Sequence, residues 1–418
     1  MMQGYVLSIR GETPYTQQQF SIETSGKNLI ITGKNGSGKT SFLKKLHETI
    51  VAQIQNKEDD QQLTQLQQNI HFYEQRLKDN IEGSSTFAEA KQYLNNYLYP
   101  QYSQLQQRFV IEYVERYSYA AAVDNGTAIV DYFEATRQSS ISEARNAGAI
   151  DTEKTKTTVL QNRGVSLHLG NELEQYLVNL QVRLAFAKNS QDNALVNEIE
   201  RWFHNFDEQL KLLTEEKTAQ LEFDPNKLQI SIRQNDRQQY TFQQLSSGYS
   251  AIFNIYAALL VRVRYLDITP DQLKGVALID EIYAHLHLSL QRKILPFLVK
   301  SFPNVQFIVT THSPFVITSI EDVIIYDISK REQIENLSSY SYEAVAEGLL
   351  GVDPASDVLQ AKIKELASII ENQKVTAKLK DLSNDLNAVY DKLDEESKYF
   401  VNQAKLLIHK QESGENGV

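Results

Sequence analysis

A glycine-rich segment near the N-terminus has the residue types and the spacing needed to bind phosphate. The segment is Gly33-Lys34-Asn35-Gly36-Ser37-Gly38-Lys39-Thr40-Ser41, and it contains the P-loop pattern G-x-x-x-x-G-K-[ST]. Glycines allow backbone N–H groups to turn inward around phosphate oxygens at the start of a helix. Lys39 is expected to reach the outer phosphates, and the Thr40 hydroxyl is expected to ligate Mg²⁺. The segment therefore predicts a nucleotide site with ATP and Mg²⁺ as cofactors.

Two carboxylates, Asp280 and Glu281, directly follow the apolar run at residues 276–279. Such a run is typical of a buried strand whose carboxyl end meets the ligand in an α/β sheet. Asp280 is expected to hold the Mg²⁺, and Glu281 is expected to act as general base or to orient the attacking water. His312 follows another apolar run, where a neutral imidazole can stabilise transferring charge. Lys39, Glu281 and His312 are therefore the predicted catalytic residues.

A short segment containing serine and glycine lies between the P-loop and Asp280. It is Leu245-Ser246-Ser247-Gly248-Tyr249, and a strongly apolar helix follows it. By itself the segment is typical of a helix N-cap. It also resembles the signature of the ABC ATPase family, Leu-Ser-Gly-Gly-Gln, with a serine replacing the first glycine and a tyrosine replacing the glutamine. The resemblance implies that Ser246, Ser247 and Gly248 contact the γ-phosphate of a nucleotide held by a partner subunit.

Two further segments are weaker candidates for the site. Gln138 follows a predicted strand and is a candidate Q-loop residue near the metal, although Arg137 could instead be the functional side chain, or the stretch could be only a strand end. Residues 282–287 occupy the position of the ABC D-loop, which crosses the dimer interface in that family. His285 and His287 lie there without carboxylates at metal-ligand spacing, so packing and hydrogen bonding are expected rather than a metal site.

Strands alternating with helices are expected to position these residues. A segment at residues 28–32, built on the continuous apolar run Leu29-Ile30-Ile31, leads into the P-loop. Apolar runs also precede Asp280 and His312, as expected for strands buried on both faces. The alternation predicts an α/β fold with a mixed or largely parallel sheet. The predicted parts are an ABC-type ATPase head at 1–335, helical insertions within it at about 51–117 and 171–217, and a helical C-terminal domain at 336–418.

Composition limits the functional classes. The chain has 418 residues, of which 41% are hydrophobic and 23% charged, and a formal net charge of −11. That charge argues against a surface built for sequence-independent nucleic-acid binding, although a local basic patch leaves DNA contact open. The chain has no cysteines, which excludes disulfides, thiolate zinc sites and cysteine nucleophiles. Without a signal peptide or an apolar stretch of membrane-spanning length, a cytoplasmic protein is expected.

The order of P-loop, signature, acidic pair and histidine resembles ABC-type ATPases of the OLD/RecF/SMC-related branch. Asp-Glu-x-x-x-x-Leu-His, followed by Gln291, and Thr-Thr-His-Ser-Pro carry this resemblance. OLD-type nucleases continue into a Toprim domain, but the residues after His312 are mainly of helical character and lack an Asp-x-Asp pair, so no nuclease domain is expected. The chain thus resembles the stand-alone ATPases of this branch, which are similar to the PtuA and AriA families of antiphage systems. This resemblance implies head-to-head homodimers or higher homo-oligomers that control a separately encoded nuclease or toxin.

Two other functions remain open from the sequence. A RecF/SMC-like repair or recombination ATPase would act directly on DNA, and its ATP hydrolysis would be stimulated by DNA with steep salt dependence. A nucleotide-gated scaffold would bind ATP with negligible turnover, although the presence of Glu281 argues against it. The acidic net charge makes direct action on DNA the weaker of the two ATPase hypotheses.

Overall fold

The computed structural model describes eleven stretches of the chain. These are residues 5–55, 60–79, 82, 84–106, 108–136, 141–144, 173–235, 237–265, 269–351, 356–371 and 375–412. The chain divides into two compact units, Met1–Val345 and Ala346–Val418. This division falls after the boundary at 335/336 that was expected from the sequence, within a short helix.

Among the residues that the structure describes, twelve strands lie in the first unit. They are β1 (Val6–Glu12), β2 (Gln19–Glu23), β3 (Asn28–Thr32), β4 (Val110–Tyr113), β5 (Ala128–Phe133), β6 (Gln220–Asp224), β7 (Gln229–Gln234), β8 (Arg237–Thr241), β9 (Lys274–Ile279), β10 (Val305–Thr310), β11 (Val323–Asp327) and β12 (Glu332–Glu335).

The described α-helices follow the chain from the P-loop to the C-terminal unit. They are α1 (Lys39–Ile50), α2 (Asp60–Asp79), α3 (Ser85–Tyr93), α4 (Tyr99–Gln106), α5 (Arg116–Asp124), α6 (Leu173–Asn189), α7 (Asn193–Thr214), α8 (Ser247–Tyr265), α9 (Leu288–Gln291), α10 (Ile294–Ser301), α11 (Pro314–Ile317), α12 (Tyr342–Gly348), α13 (Asp357–Glu371), α14 (Ala377–Asn387) and α15 (Glu395–Glu412).

A six-stranded sheet in the order β12-β11-β3-β10-β9-β5 forms the centre of the first unit. The pairs within β11-β3-β10-β9-β5 are parallel, and β12 is antiparallel at one edge. Every residue of β5 and β10 is buried, and apart from Asp131, Gln306 and Thr310 these residues are apolar, as expected of strands covered on both faces. The expected α/β class with a mixed, largely parallel sheet is therefore confirmed. Because parallel strands share an orientation, the loops after β3, β9, β10 and β5 all leave from the same edge.

Two smaller antiparallel sheets, β2-β1-β4 and β6-β7-β8, accompany the central sheet. β4 lies inside the segment at 51–117 that was expected to be helical. Its residues Val110–Tyr113 pair with β1, and Ile111 is buried in the core, so this long-range pairing makes the end of the segment a strand. The helical expectation is wrong for these four residues, because a strand partner distant in the chain outweighs local helical propensity.

Eight of the described helices form three separate groups. α2, α3 and α4 pack around Ile70, Leu94 and Leu98, and α6 and α7 pack against each other as the second helical segment of the first unit. In the second unit, α13, α14 and α15 enclose their own apolar cluster, which includes Leu366, Leu379 and Val401. None of the described helices has the length and apolar character needed to cross a membrane.

Candidate functional site

The P-loop connects β3 to α1, and its glycines adopt conformations that other residues rarely take. Gly33, Gly36 and Gly38 have φ values of 139°, 76° and 89°. A Cβ on Gly33 would lie 2.7 Å from the Ser329 side-chain oxygen, whereas a Cβ on Gly36 would meet no atom within 4 Å. Gly33 therefore permits close packing against the turn after β11, and the loop around Gly36 leaves space for phosphate. Asn35, like Gly36, is exposed.

Lys39 begins α1, and its side chain turns back beneath the loop. The residue is only 6% exposed, and its Nζ donates hydrogen bonds to the carbonyl oxygens of Gly33 and Lys34 at 3.1 Å each. Burial lowers the pKa of Lys39, while the carboxylates of Glu281, Asp280 and Asp327 act in the opposite direction. The P-loop lysine and the acidic pair, far apart in sequence, thus belong to one electrostatic environment.

Three hydroxyls line the same loop in different surroundings. The Ser37 Oγ is buried and has no hydrogen-bond partner among the described residues. Thr40 is exposed at the first turn of α1, and the Ser41 Oγ is 3.0 Å from the hydroxyl of Tyr15. A buried polar atom without a partner, glycines with positive φ and a lysine together fit a triphosphate. Thr40 and Asp280 supply oxygens suited to Mg²⁺.

Asp280 and Glu281 are held by Thr310, the last residue of the neighbouring strand β10. The Thr310 hydroxyl donates to Asp280 Oδ1 at 2.6 Å and accepts from the backbone N–H of Glu281 at 2.7 Å. Asp280 is 1% exposed, and Thr310 is fully buried. Glu281 has a φ of 42°, which is unusual for a residue with a side chain and common at functional sites. The carboxylates therefore sit in a fixed arrangement at the sheet edge.

His312 lies two residues beyond β10 and belongs to the same environment. Burial lowers the pKa of His312, and the positive charge of Lys39 lowers it further. Both effects favour the neutral imidazole at physiological pH. The Tyr283 ring meets the His312 ring edge-on at a centroid distance of 6.4 Å. The structure thus brings Lys39, Asp280, Glu281 and His312 together.

The predicted signature segment lies at the start of α8. Ser246 and Ser247 are exposed, whereas Gly248 is buried. A Cβ on Gly248 would lie 3.2 Å from the backbone oxygen of His285. The signature glycine therefore packs directly against the segment that follows the acidic pair, while the two serines are available for contact from outside the chain.

Of the two weaker candidate segments, the structure describes residues 282–287 but not residues 137–138. Gln138 and Arg137 lie outside the described residues. In the D-loop segment His285 has a φ of 65°, and the His287 side chain caps α9. Within the described part of the chain, no group of three His, Cys, Asp or Glu residues is arranged to hold a metal ion.

Several residues of the site were not found from the sequence. Besides Thr310, Ser329 accepts a hydrogen bond from the backbone N–H of Lys34 at 2.8 Å, and Asp327 supports the same turn by accepting from the N–H of Ser329. Gln291 accepts from the Ser313 hydroxyl at 2.6 Å and donates to the Leu286 carbonyl, so it connects the D-loop segment with the histidine loop. Thr310 and Gln291 belong to the motifs that carry the resemblance, but the sequence predicted no role for either of them. The only sequence signal for Asp327 and Ser329 is their position just after the apolar run at residues 323–326.

A protein-family model and several characterised proteins match this chain. The family described as "AAA domain, putative AbiEii toxin, Type IV TA system" matches residues 29–318. The chain is 46% identical over 81 residues to the retron Ec83 probable ATPase of Escherichia coli, and 34% identical over 100 residues to the retron Vc95 probable ATPase of Vibrio cholerae. It is 28% identical over 128 residues to the Septu protein PtuA of Bacillus thuringiensis.

These alignments cover small parts of the proteins compared. They span 19%, 23% and 27% of this chain and 15%, 20% and 32% of the respective relatives. The expected resemblance to PtuA is confirmed by the last of them.

Among solved structures, the Smc head bound to the C-winged helix domain of ScpA is similar. Its TM-score is 0.39 with 15% identity, over 80% of this chain and 99% of that one. The family match covers most of the first unit and includes the P-loop, the signature, the acidic pair and His312. The chain therefore belongs to the family of AAA-domain proteins described by the terms putative AbiEii toxin and Type IV TA system.

Proposed function

We propose that this chain binds Mg·ATP and hydrolyses it to ADP and phosphate. The observation that carries the proposal is the Thr310 hydroxyl, which holds Asp280 and the Glu281 backbone beside the Lys39 environment. The P-loop amides and Lys39 bind the β- and γ-phosphates, while Thr40 and Asp280 hold the Mg²⁺. The bound Mg²⁺ supplies charge neutralisation at the phosphates.

Glu281 and His312 have distinct roles in the proposed reaction. Glu281 accepts a proton from the attacking water or orients that water toward the γ-phosphate. His312, which is neutral because burial and Lys39 both lower its pKa, donates a hydrogen bond to the oxygens that gain charge. The positive charge of the buried Lys39 stabilises the same developing charge.

Two copies complete each site in this proposal. Ser246 and Ser247 are exposed at the start of α8, and Gly248 packs against the D-loop segment of its own chain. The signature and the D-loop can therefore meet the nucleotide of a second head as one rigid surface. Nucleotide binding then joins two heads, and hydrolysis separates them.

The biological setting we propose is an antiphage defence complex. Similarity to two retron ATPases and to PtuA supports it. Paired heads would hold or release a separately encoded nuclease or toxin, and this chain would contribute the nucleotide switch in the cytoplasm rather than a nuclease domain. Co-purification with a product of a neighbouring gene supports effector control, and the absence of any such complex in both nucleotide states contradicts it.

Glu281→Gln and Lys39→Ala test the enzymatic proposal. Glu281→Gln should lower kcat about 100-fold or more, because the general base or water-orienting group is lost. It should also retain ATP and accumulate paired heads in light scattering, whereas Lys39→Ala should lose nucleotide and remain unpaired. Glu48→Gln, an exposed glutamate on α1, is the matched control and should keep wild-type turnover.

Equal, near-zero turnover in wild type and Glu281→Gln would overturn hydrolysis and favour a nucleotide-gated scaffold. Turnover that depends strictly on added DNA would favour the RecF/SMC-like function instead. Its rate should then fall steeply with salt, because DNA contacts release counterions.

A further inference from the structure

A cavity of about 530 Å³ lies away from the P-loop, where α6, α7 and α8 meet the turn at residues 269–272. Its size is within the range of pockets that bind small molecules. Arg201, Trp202 and Asn205 line it from one face of α7, at helical spacings of one, three and four residues. The cavity is therefore built on regular elements of the fold.

Three cations border this cavity, and one of them, Lys300, also lies near the carboxylate of Glu208. Arg183 on α6, Arg201 on α7 and Lys300 on α10 all line it. Within the described stretches of the chain, none of the three forms a salt bridge or hydrogen bond. Two carboxylates, Glu198 and Asp271, also line the cavity, which leaves it one positive charge in excess on a chain with a net charge of −11. A local excess of cations on an acidic protein favours an anionic ligand.

Trp202 adds a planar aromatic surface to the same cavity. The indole packs edge-on against Tyr176 at 5.6 Å and is stacked with Phe206 at 5.5 Å, so neighbouring rings hold its orientation. It is nevertheless only half-buried and lines the cavity. An aromatic side chain that lines a cavity can stack with a nucleobase, because every base has a π-face.

We propose that this cavity binds a single free nucleotide, with its base against Trp202 and its phosphate at Arg183, Arg201 and Lys300. Glu198 can accept hydrogen bonds from the ribose hydroxyls, which is the usual role of an acid near a bound ribose. The site shares no residue with the P-loop. Tyr256 of α8 also lines it, so the ligand contacts the helix that begins at the signature segment.

Trp202 provides a direct test, because it is the only tryptophan in the chain. The full-length Lys39→Ala protein, in which the P-loop is disabled, is titrated with the ribonucleoside monophosphates, ATP and inorganic phosphate. The site predicts a saturable change in tryptophan fluorescence with nucleotides and a much weaker one with phosphate alone. Isothermal titration calorimetry of the same protein should give one nucleotide per chain.

Matched variants in the Lys39→Ala background identify the site. Arg201→Gln and Lys300→Gln should each weaken nucleotide binding about tenfold, since each removes a charge-assisted hydrogen bond. Lys188→Gln removes an exposed α6 cation that does not line the cavity and should leave the Kd unchanged. Circular dichroism melting confirms that all three variants fold.

Three results would overturn the proposal. The first is the absence of binding by both fluorescence and calorimetry. The second is equal weakening by Lys188→Gln and Arg201→Gln. The third is tighter binding of a short single-stranded oligonucleotide than of any mononucleotide, which would assign the cavity to a nucleic-acid strand. Since these measurements use a protein that lacks a functional P-loop, their outcome is independent of ATP hydrolysis.

Discussion

Thr310 uses one hydroxyl group to position both acidic residues of the candidate site. The hydroxyl donates a hydrogen bond to Asp280 and accepts one from the backbone N–H of Glu281. The backbone of Glu281 has an unusual positive φ. A threonine side chain can do both at once because a hydroxyl donates one hydrogen bond and accepts two. Because both of its hydrogen bonds go to the acidic pair, Thr310 acts through those two residues, and we regard it as a positioning residue.

Thr310→Val removes that hydroxyl while preserving the shape of the side chain. We expect kcat to fall about tenfold or more while KM for ATP changes little, because binding still depends on the P-loop. The buried partners lose a hydrogen bond, which costs about 1–3 kcal/mol of stability in urea unfolding. Thr310→Ser should restore both quantities. Unchanged kcat in the valine variant would contradict the positioning role.

His47 on α1 is a half-buried histidine whose Nε2 is shielded from solvent and has no hydrogen-bond partner among the described residues. Its ring stacks on Tyr132 at 5.2 Å, and burial lowers its pKa to about 4. The ordinary pKa of a histidine is 6.5, and a solvated His47 in the unfolded chain is expected to have this pKa. Between these two pH values the unfolded chain binds more protons than the folded chain. The free energy of unfolding is therefore highest above pH 6.5, and the contribution of His47 is lost as the pH falls toward 4.

Replacement of His47 by leucine should therefore flatten the acid side of the stability profile. From pH 7.5 to pH 5, the wild type should lose about 2 kcal/mol of unfolding free energy through this residue, and the variant should not. Urea unfolding at the two pH values measures the difference. Parallel losses in both proteins would place the acid sensitivity elsewhere.

At the scale of elements, a buried ion pair joins the signature helix to the central sheet. Arg262 of α8 lies 2.5 Å from Asp131 of β5, and their side chains are 10% and 6% exposed. β5 also contacts the acidic pair, because the Phe133 carbonyl accepts from the N–H of Asp280 at 2.8 Å. The helix that presents the signature is thus connected to the strand beside the carboxylates.

Arg262→Met should leave the Asp131 charge buried without its partner and cost about 3–5 kcal/mol. The double variant Arg262→Met/Asp131→Leu removes both charges, and it should recover most of that loss. Guanidinium unfolding of the two single variants and the double variant forms a thermodynamic cycle. Additive losses in the double variant would show that the two side chains do not interact.

At the scale of the whole molecule, each proposed site is formed by two copies of the chain. Mixing two chains that carry different inactivating substitutions tests this proposal. Lys39→Ala disables the P-loop of its own chain, whereas Ser246→Arg blocks the signature offered to a partner. Each variant alone should be inactive. In a mixed dimer one site carries both defects and the other site carries neither. Random pairing of an equal mixture makes about half of the dimers mixed, and each mixed dimer has one working site out of two. The mixture should therefore recover about a quarter of wild-type turnover.

The matched control for this experiment mixes Lys39→Ala with the Lys39→Ala/Ser246→Arg double variant. Neither type of chain in that mixture has a working P-loop, so no activity should return. Turnover in Ser246→Arg alone at the wild-type rate would instead indicate a site complete within one chain.

Some features could be predicted from the sequence because their residues are adjacent in the chain. The P-loop glycines determine the local backbone path by their own conformational freedom, and the apolar runs before Asp280 and His312 predict buried strands. β4 could not be predicted in the same way, since Ile111 becomes part of a strand only through pairing with β1. Its neighbours in sequence carry a helical pattern.

The sequence by itself determined the chemical groups of this protein, namely a phosphate-binding loop, a pair of acids, a histidine and a serine segment. Only the tertiary structure decided that Thr310 lies under the acids, that Ser329 supports the P-loop, and that Trp202 shares a cavity with Lys300. The physical reason is that strand order and helix packing bring these residues together across long stretches of chain. Local residue patterns specify backbone shape but carry no information about which distant side chain will be a neighbour.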